Sequence, residues 1–169
     1  MSALERIAYA DGALALTGWL ARPAGAARAA VLVFPTIANV TANVERKAAA
    51  LAEAGYLALI ADFYGADVPD FAAAGPLAKA LRADPAVYRA RLQAGLDALQ
   101  GLAGALPLAA IGFCMGGQAA LELARSGAAI ACAVSFHGLL DTQVPAAAGA
   151  VKARLLVCHG DADPMVPRA

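Results

Sequence analysis

The pattern of hydrophobic and polar positions divides the chain into short strands and longer helices. Two extended segments, residues 3–9 and 13–21, flank Asp11-Gly12, a pair that tolerates positive φ and therefore predicts a tight antiparallel hairpin. Continuous apolar runs are typical of strands that are buried on both faces of a parallel sheet. Such runs predict further strands over residues 29–34, 56–61, 106–113, 130–136 and 154–159.

Apolar residues at steps of three and four predict helices between these strands. The predicted helices cover residues 43–54, 85–102 and 115–125. Residues 62–75 contain Gly65, Pro69 and Gly75 and are interpreted as a loop. Because strands and helices alternate, the sequence predicts an α/β fold, with helices covering a mainly parallel sheet that carries the antiparallel hairpin at one edge.

Composition is compatible with one domain over residues 1–169, close to the usual length of a single domain. Apolar residues make up 61% of the chain, but 49 of its 169 residues are alanine, so its mean hydropathy of +0.63 overstates the size of the core. The larger aliphatic side chains are still numerous enough to exclude an intrinsically disordered chain.

Charge and cysteine content exclude several classes of partner. Thirteen basic and thirteen acidic residues give no net charge, so we expect neither nucleic-acid nor membrane binding. The uncharged stretch 98–121 is long enough to cross a bilayer, but Pro107 and its glycines favour strand, turn and helix. The first ten residues lack an apolar signal core, which predicts a cytoplasmic protein. Three widely spaced cysteines predict free thiols, and we expect no metal and no cofactor.

The most informative segment is Gly112-Phe113-Cys114-Met115-Gly116, which joins a predicted strand directly to a predicted helix. It has the form of a nucleophile elbow, with cysteine in place of serine. The glycines allow the close backbone approach that such a turn requires. The amino end of the following helix would favour both a thiolate and a developing oxyanion. Cys132 and Cys158, inside apolar runs, are interpreted as small buried side chains instead.

The chain resembles the dienelactone hydrolase family of α/β-hydrolases over nearly its whole length. The residues that carry the resemblance, besides the elbow with Gly117, are Phe34-Pro35-Thr36-Ile37, Ala61-Asp62-Phe63-Tyr64-Gly65, Phe136-His137-Gly138 and His159-Gly160-Asp161-Ala162-Asp163-Pro164-Met165-Val166-Pro167. The resemblance implies hydrolysis of a carboxylic ester or lactone through an acyl-enzyme, with a small-molecule substrate.

The resemblance also implies roles for particular residues. Cys114 is the nucleophile, and Asp163, in a G-x-x-D-x-x-V-P segment, is the acid that orients a histidine. The backbone N–H groups of Ile37 and Met115 form the oxyanion hole. Asp161 is the rival acid and is interpreted as a turn residue. Asp62 and Tyr64 are expected to line the cleft.

Two departures from the family pattern bear on the chemistry. Thr36 stands where the family has a glutamate, and threonine cannot accept a proton as a carboxylate does. The family's histidine follows one further helix and strand beyond the acid, and the sequence given ends at Ala169. We therefore expect the last strand, the closing helix and the catalytic histidine to be missing. His137 and His159 match other family positions and are disfavoured as the base.

Other interpretations remain open at this stage. A dinucleotide-binding loop is disfavoured because Cys114 would obstruct a pyrophosphate. Arg82, Arg89 and Arg91 could meet a substrate carboxylate, although a solvated helix surface is favoured. The alternative function is a noncatalytic or weakly active fragment that presents a reactive thiol. The last predicted strand would leave an apolar sheet edge open, where self-association is expected.

Overall fold

The computed structural model describes residues 4–166. In chain order the elements are β1 (Glu5–Asp11), β2 (Leu14–Ala21), β3 (Ala30–Phe34), α1 (Ala42–Glu53), β4 (Leu57–Ile60), α2 (Phe71–Ala83), α3 (Pro85–Ala103), β5 (Leu108–Phe113), α4 (Met115–Arg125), β6 (Cys132–Phe136) and β7 (Arg154–Cys158). Residue 3 of the predicted first strand and Pro167 of the predicted acid segment lie outside the described residues.

One seven-stranded sheet organises the fold, with strand order β1-β2-β4-β3-β5-β6-β7. The pairs β1–β2 and β2–β4 are antiparallel, and the remaining pairs are parallel. The predicted mainly parallel sheet with an N-terminal antiparallel hairpin is therefore confirmed. Every residue of β3 and β4 is buried, as their unbroken apolar runs indicate.

The hairpin turn lies one residue later than the sequence predicts. Asp11 pairs with Leu14 inside the ladder, so the two connecting residues are Gly12 and Ala13. Gly12 has φ +58°, which suits the first central position of a two-residue hairpin turn. Asp11 therefore belongs to strand β1, and its side chain takes no part in the turn.

Helices cover both faces of the sheet. Val31 and Val33 of β3 pack in the cluster that contains α1, whereas Leu32 and Phe34 pack in the cluster that contains α2, α3 and α4. The two clusters follow the alternation of side chains along the strand. In α4, residues 115–124 are all buried, and half of them are glycine or alanine.

Helix α2 corrects the prediction of a loop that extends to Gly75. Asp70 caps the helix by accepting a hydrogen bond from the Ala73 N–H at 2.8 Å. Gly75 and Pro76, interpreted as signs of a loop, lie inside it. The many alanines between residues 72 and 83 favour a helix, and burial of its inner face outweighs the two breakers.

The carboxyl ends of the parallel strands meet at one edge of the sheet. Phe34 is in register with Gly112, Phe113 with Phe136, and Phe136 with Cys158. The segments that follow β3, β5, β6 and β7 therefore leave the sheet side by side. This is where open α/β sheets place their ligand sites.

Strand β7 forms the last strand of the sheet within residues 4–166, paired with β6 alone. Leu155, Leu156 and Val157 are 51%, 55% and 43% exposed. The predicted apolar edge is present. No helix among the described residues has both the length and the apolar character needed to cross a membrane.

Arg91 joins helix α3 to two distant parts of the chain. Its guanidinium is 2.7 Å from the Asp11 carboxylate and donates to the Phe63 carbonyl. The side chain is 9% exposed, so the expectation of a solvated helix surface is wrong for this residue. It is also wrong for Arg89, which is half-buried and pairs with Glu122 at 2.9 Å.

Replacing Arg91 by methionine should lower the free energy of unfolding by about 2–3 kcal/mol, because Asp11 and the Phe63 carbonyl lose a buried cationic partner. The matched control is Arg22→Gln. Its ion pair with Glu5 is also short, at 2.9 Å, but both side chains are 52% exposed, so less than ~1 kcal/mol should be lost. Urea unfolding of the two variants checks this, and equal losses would contradict it.

Candidate active site

Cys114 is the single residue between strand β5 and helix α4. Its φ of 58° and ψ of −120° are strained values for a residue with a side chain. The backbone is held there by the Cys114 N–H, which donates to the Phe136 carbonyl of β6 at 3.0 Å. The conformation is the elbow that the sequence predicts, with a half-buried thiol at the carboxyl end of the strand.

Two glycines let neighbouring backbone approach the elbow. A Cβ at Gly112 would overlap the Gly116 carbonyl, and a Cβ at Gly116 would overlap the carbonyl oxygens of Phe34 and Pro35. The first turn of α4 therefore lies directly against the end of β3. This contact brings the residue after Cys114 close to the loop that contains Ile37.

The N–H groups of Ile37 and Met115, the predicted oxyanion donors, have no hydrogen-bond acceptor within residues 4–166. The first helical hydrogen bonds of α4 begin after Met115: the Cys114 carbonyl accepts from the Gly117 N–H at 2.9 Å and from the Gln118 N–H at 3.3 Å. Met115 thus presents one of the free N–H groups at the amino end of a helix, which favours negative charge nearby. The other free N–H belongs to the loop after β3.

Tyr64 connects the two predicted oxyanion residues. Its hydroxyl donates to the Ile37 carbonyl at 2.9 Å and lies 3.6 Å from the Met115 sulfur. Burial raises the pKa of Tyr64 to about 12, so the hydroxyl stays protonated and can donate at neutral pH. Tyr64 and Asp62, both expected to line the cleft, are 8% and 5% exposed, so both are buried. The Tyr64 side chain links the loop after β3 to α4.

Thr36 and His137 line a cavity of about 590 Å³ between α1 and the ends of β5 and β6. Phe113 and Phe136 stack in its wall, with ring centroids 5.2 Å apart. The Thr36 hydroxyl accepts from the Ala38 N–H at 3.4 Å, and no hydrogen bond joins it to Cys114 in the described chain. The cavity is bounded by residues adjacent in sequence to Cys114 and Ile37.

The predicted acid is not paired with a histidine. Asp163 accepts from the Met165 N–H at 2.9 Å, and His159 Nε2 lies 2.8 Å from the Val166 carbonyl. His137 is exposed and has φ 41°. Within residues 4–166, neither histidine makes a hydrogen bond to Cys114 or Asp163. Asp161 lies in the turn after β7, as expected.

Cys114, Ile37 and Met115 are thus gathered at one place, and Asp163 lies in the turn region beyond β7. Cys132 and Cys158 are half-buried, less enclosed than expected. No cluster of three potential metal-binding His, Cys, Asp or Glu side chains occurs in the described part of the chain.

The sequence alone did not identify Asn39, which has φ 59° and is 6% exposed. The tolerance of asparagine for this conformation was the available signal.

Replacing Gly116 by alanine should cost at least ~3 kcal/mol of stability, because the added methyl group meets backbone that cannot move aside. Gly101→Ala is the matched control. That helical glycine has open space around its Cβ position, so alanine should stabilise the protein by about 0.5–1 kcal/mol. Thermal unfolding of both variants tests the contrast, and a harmless Gly116→Ala would contradict the close approach.

Several solved structures are similar to nearly the whole of this chain. No curated protein matches the sequence. The solved structure named m3DLH is 39% identical, with a TM-score of 0.88, over 99% of this chain and 73% of its own. A dienelactone hydrolase-like promiscuous phosphotriesterase from metagenomic libraries is 38% identical, with a TM-score of 0.90, over 98% of this chain and 72% of its own.

A more distant structure shows the same fold. The dienelactone hydrolase from Anabaena variabilis is 24% identical, with a TM-score of 0.69, over 91% of this chain and 71% of its own. The match to the dienelactone hydrolase family itself spans residues 16–169, most of the sequence. The chain therefore has an α/β-hydrolase fold and belongs to the dienelactone hydrolase family.

Proposed function

We propose that the protein hydrolyses carboxylic esters or lactones of small molecules, with Cys114 as the nucleophile. Membership of the family supports a hydrolase. The observation that carries the cysteine mechanism is the strained Cys114 between β5 and α4, next to the unpaired N–H groups of Met115 and Ile37. Together they provide a nucleophile and two donors for a developing oxyanion.

In the proposed reaction, the Cys114 thiol first loses its proton to solvent, and the thiolate attacks the carbonyl carbon while the carbonyl oxygen takes the negative charge. The N–H groups of Ile37 and Met115 donate to that oxygen, and the amino end of α4 adds its partial positive charge. Collapse of the tetrahedral intermediate expels the alcohol and leaves a thioester at Cys114. Water then attacks the thioester and releases the acid.

Completion of this cycle requires two further proton transfers. The alcohol must gain a proton as it leaves, and the attacking water must lose one. Asp163 is the proposed acid that would orient a histidine for both steps. Among the described residues no histidine makes a hydrogen bond to Asp163 or Cys114, so we expect the 169-residue chain to be acylated faster than it is deacylated. The family match supports a hydrolase over the noncatalytic alternative.

Cys114→Ala should abolish acylation by an activated ester such as p-nitrophenyl acetate, because the variant has no nucleophile at the elbow. Cys132→Ala and Cys158→Ala are the controls and should leave acylation intact, since both residues are half-buried within strands β6 and β7. Nitrophenol release and the mass of the intact protein measure the step. Equal release from the parent chain and Cys114→Ala would refute the cysteine mechanism.

The range of electrophiles can be tested in the same assay. One structural relative is named a promiscuous phosphotriesterase. The N–H groups that would stabilise a carbonyl oxyanion can also donate to a phosphoryl oxygen. A p-nitrophenyl phosphotriester, compared with p-nitrophenyl acetate, distinguishes a site restricted to carboxylic esters from a broader one.

We also propose that two copies of the chain associate through strand β7, whose three apolar residues are exposed at the sheet edge. A cytoplasmic location stays a prediction, as does the absence of nucleic-acid and membrane partners.

Leu156→Lys should shift the protein toward monomer, because it places a charge in the middle of the exposed edge strand. Phe71→Lys is the matched control. Phe71 is 74% exposed at the start of α2, which is not part of the sheet, and its replacement should leave the oligomeric state unchanged. Sedimentation velocity over a range of concentrations checks this. A monomeric parent chain at high concentration would refute edge association.

A further inference from the structure

We propose that Asn39, anchored by Asp62, is a positioning residue that fixes the Ile37 N–H for oxyanion binding. The inference rests on the proposed function, because it concerns the same oxyanion hole. It assigns a role to two residues that do not touch the reacting atoms. Their contacts lie in the loop after β3 and in the segment after β4.

The loop that carries Ile37 is short and tightly turned. The Asn39 N–H donates to the Thr36 carbonyl at 3.0 Å, and the Ala38 N–H donates to the Thr36 hydroxyl at 3.4 Å. Asn39 closes this turn with φ 59°, a conformation that asparagine adopts more readily than most residues. The orientation of the Ile37 peptide therefore depends on where the Asn39 end of the turn is held.

The Asn39 side chain holds that end through two hydrogen bonds. Its Nδ2 donates to Asp62 Oδ1 at 2.9 Å, and its Oδ1 accepts from the Phe63 N–H at 3.2 Å. Both the donor and the acceptor of the amide are thus used. Because Asn39 is 6% exposed, water cannot readily replace either bond.

Asp62 is itself held from several directions. Its Oδ1 also accepts from the N–H groups of Tyr64 at 2.9 Å and Gly65 at 3.0 Å, and its Oδ2 accepts from the Thr17 N–H of β2 at 3.1 Å. Its own N–H donates to the Tyr9 hydroxyl of β1 at 2.8 Å. A carboxylate with these bonds, 5% exposed, is a rigid anchor for Asn39.

The same segment also contacts the other side of Ile37. The Tyr64 hydroxyl donates to the Ile37 carbonyl, two residues before Asn39. Residues 62–64 therefore hold the loop at both Ile37 and Asn39. Removal of the Asn39 side-chain bonds would leave the turn with its internal backbone bond to the Thr36 carbonyl and with the Tyr64 bond to the Ile37 carbonyl. Its Asn39 end would no longer be fixed to Asp62 and Phe63, so the turn could tilt and move the Ile37 N–H away from the thiol.

The test separates oxyanion binding from thiol reactivity. Acylation by p-nitrophenyl acetate develops negative charge on a carbonyl oxygen, whereas alkylation by iodoacetamide is a displacement at carbon that does not need the oxyanion hole. A positioning residue should therefore change the ratio of acylation rate to alkylation rate. A role in stability alone would leave that ratio unchanged.

Two variants probe Asn39. Asn39→Gly keeps the backbone conformation accessible and removes both side-chain bonds. Asn39→Asp keeps the acceptor for the Phe63 N–H and replaces the bond to Asp62 with a second carboxylate. In both, the ratio of acylation to alkylation should fall by about 100-fold, the loss that a misplacement of about 1 Å can cause.

The control is Tyr9→Phe, which removes the hydroxyl that bonds the Asp62 backbone but leaves the bond to Asn39. This variant should keep the parent ratio even if its unfolding midpoint is lower. An unchanged ratio in folded Asn39 variants would overturn the positioning role. Loss of the fold in both variants would also overturn it, because Asn39 would then serve stability.

Cys114→Ala, measured in parallel, separates this inference from the proposed function. Acylation that persists without Cys114 refutes the cysteine mechanism itself. Acylation that requires Cys114 but is insensitive to Asn39 refutes the positioning role alone.

Discussion

The close approach of three backbone segments at Gly112 and Gly116 is the constraint on which the rest of the site depends. Neither position has room for a Cβ, because the Gly116 carbonyl occupies the space beside Gly112 and the end of β3 occupies the space beside Gly116. The strand that precedes the thiol, the helix that follows it and the loop with the second free N–H are thereby brought to one point. The proposed nucleophile and the two proposed oxyanion donors can lie close together because neither glycine has a side chain that would keep these backbone segments apart.

Much of this could be predicted from the sequence, because glycine spacing and unbroken apolar runs report backbone requirements directly. Such local patterns predict strands β3 and β4, the elbow at Cys114 and the helix that begins at Pro85. Helix α2 could not be predicted in this way. Helix α2 is stabilised by its many alanines and by burial of its inner face in the fold, whereas Gly75 and Pro76 are residues typical of a loop.

The polar contacts were harder to predict than the elements. Arg91 sits on a helix face like any solvated arginine, and only the folded chain shows that Asp11, 80 positions away, is its partner. Asn39 and Asp62 are likewise 23 positions apart, and no spacing rule connects them. Pairing of this kind depends on which loops the sheet order brings together, and it appears only once the topology is known.

The glycines and alanines among the buried residues of α4 limit which sequence changes the helix can accept. Glycine and alanine lose almost no rotamer freedom on burial, so the helix docks on the sheet at little cost in side-chain entropy. At these glycine and alanine positions there is no side chain that could rearrange to accept a bulkier neighbour. A new substrate range would therefore have to arise through sequence changes in the loops at the carboxyl edge of the sheet, while α4 is conserved in shape as the fixed part of the site.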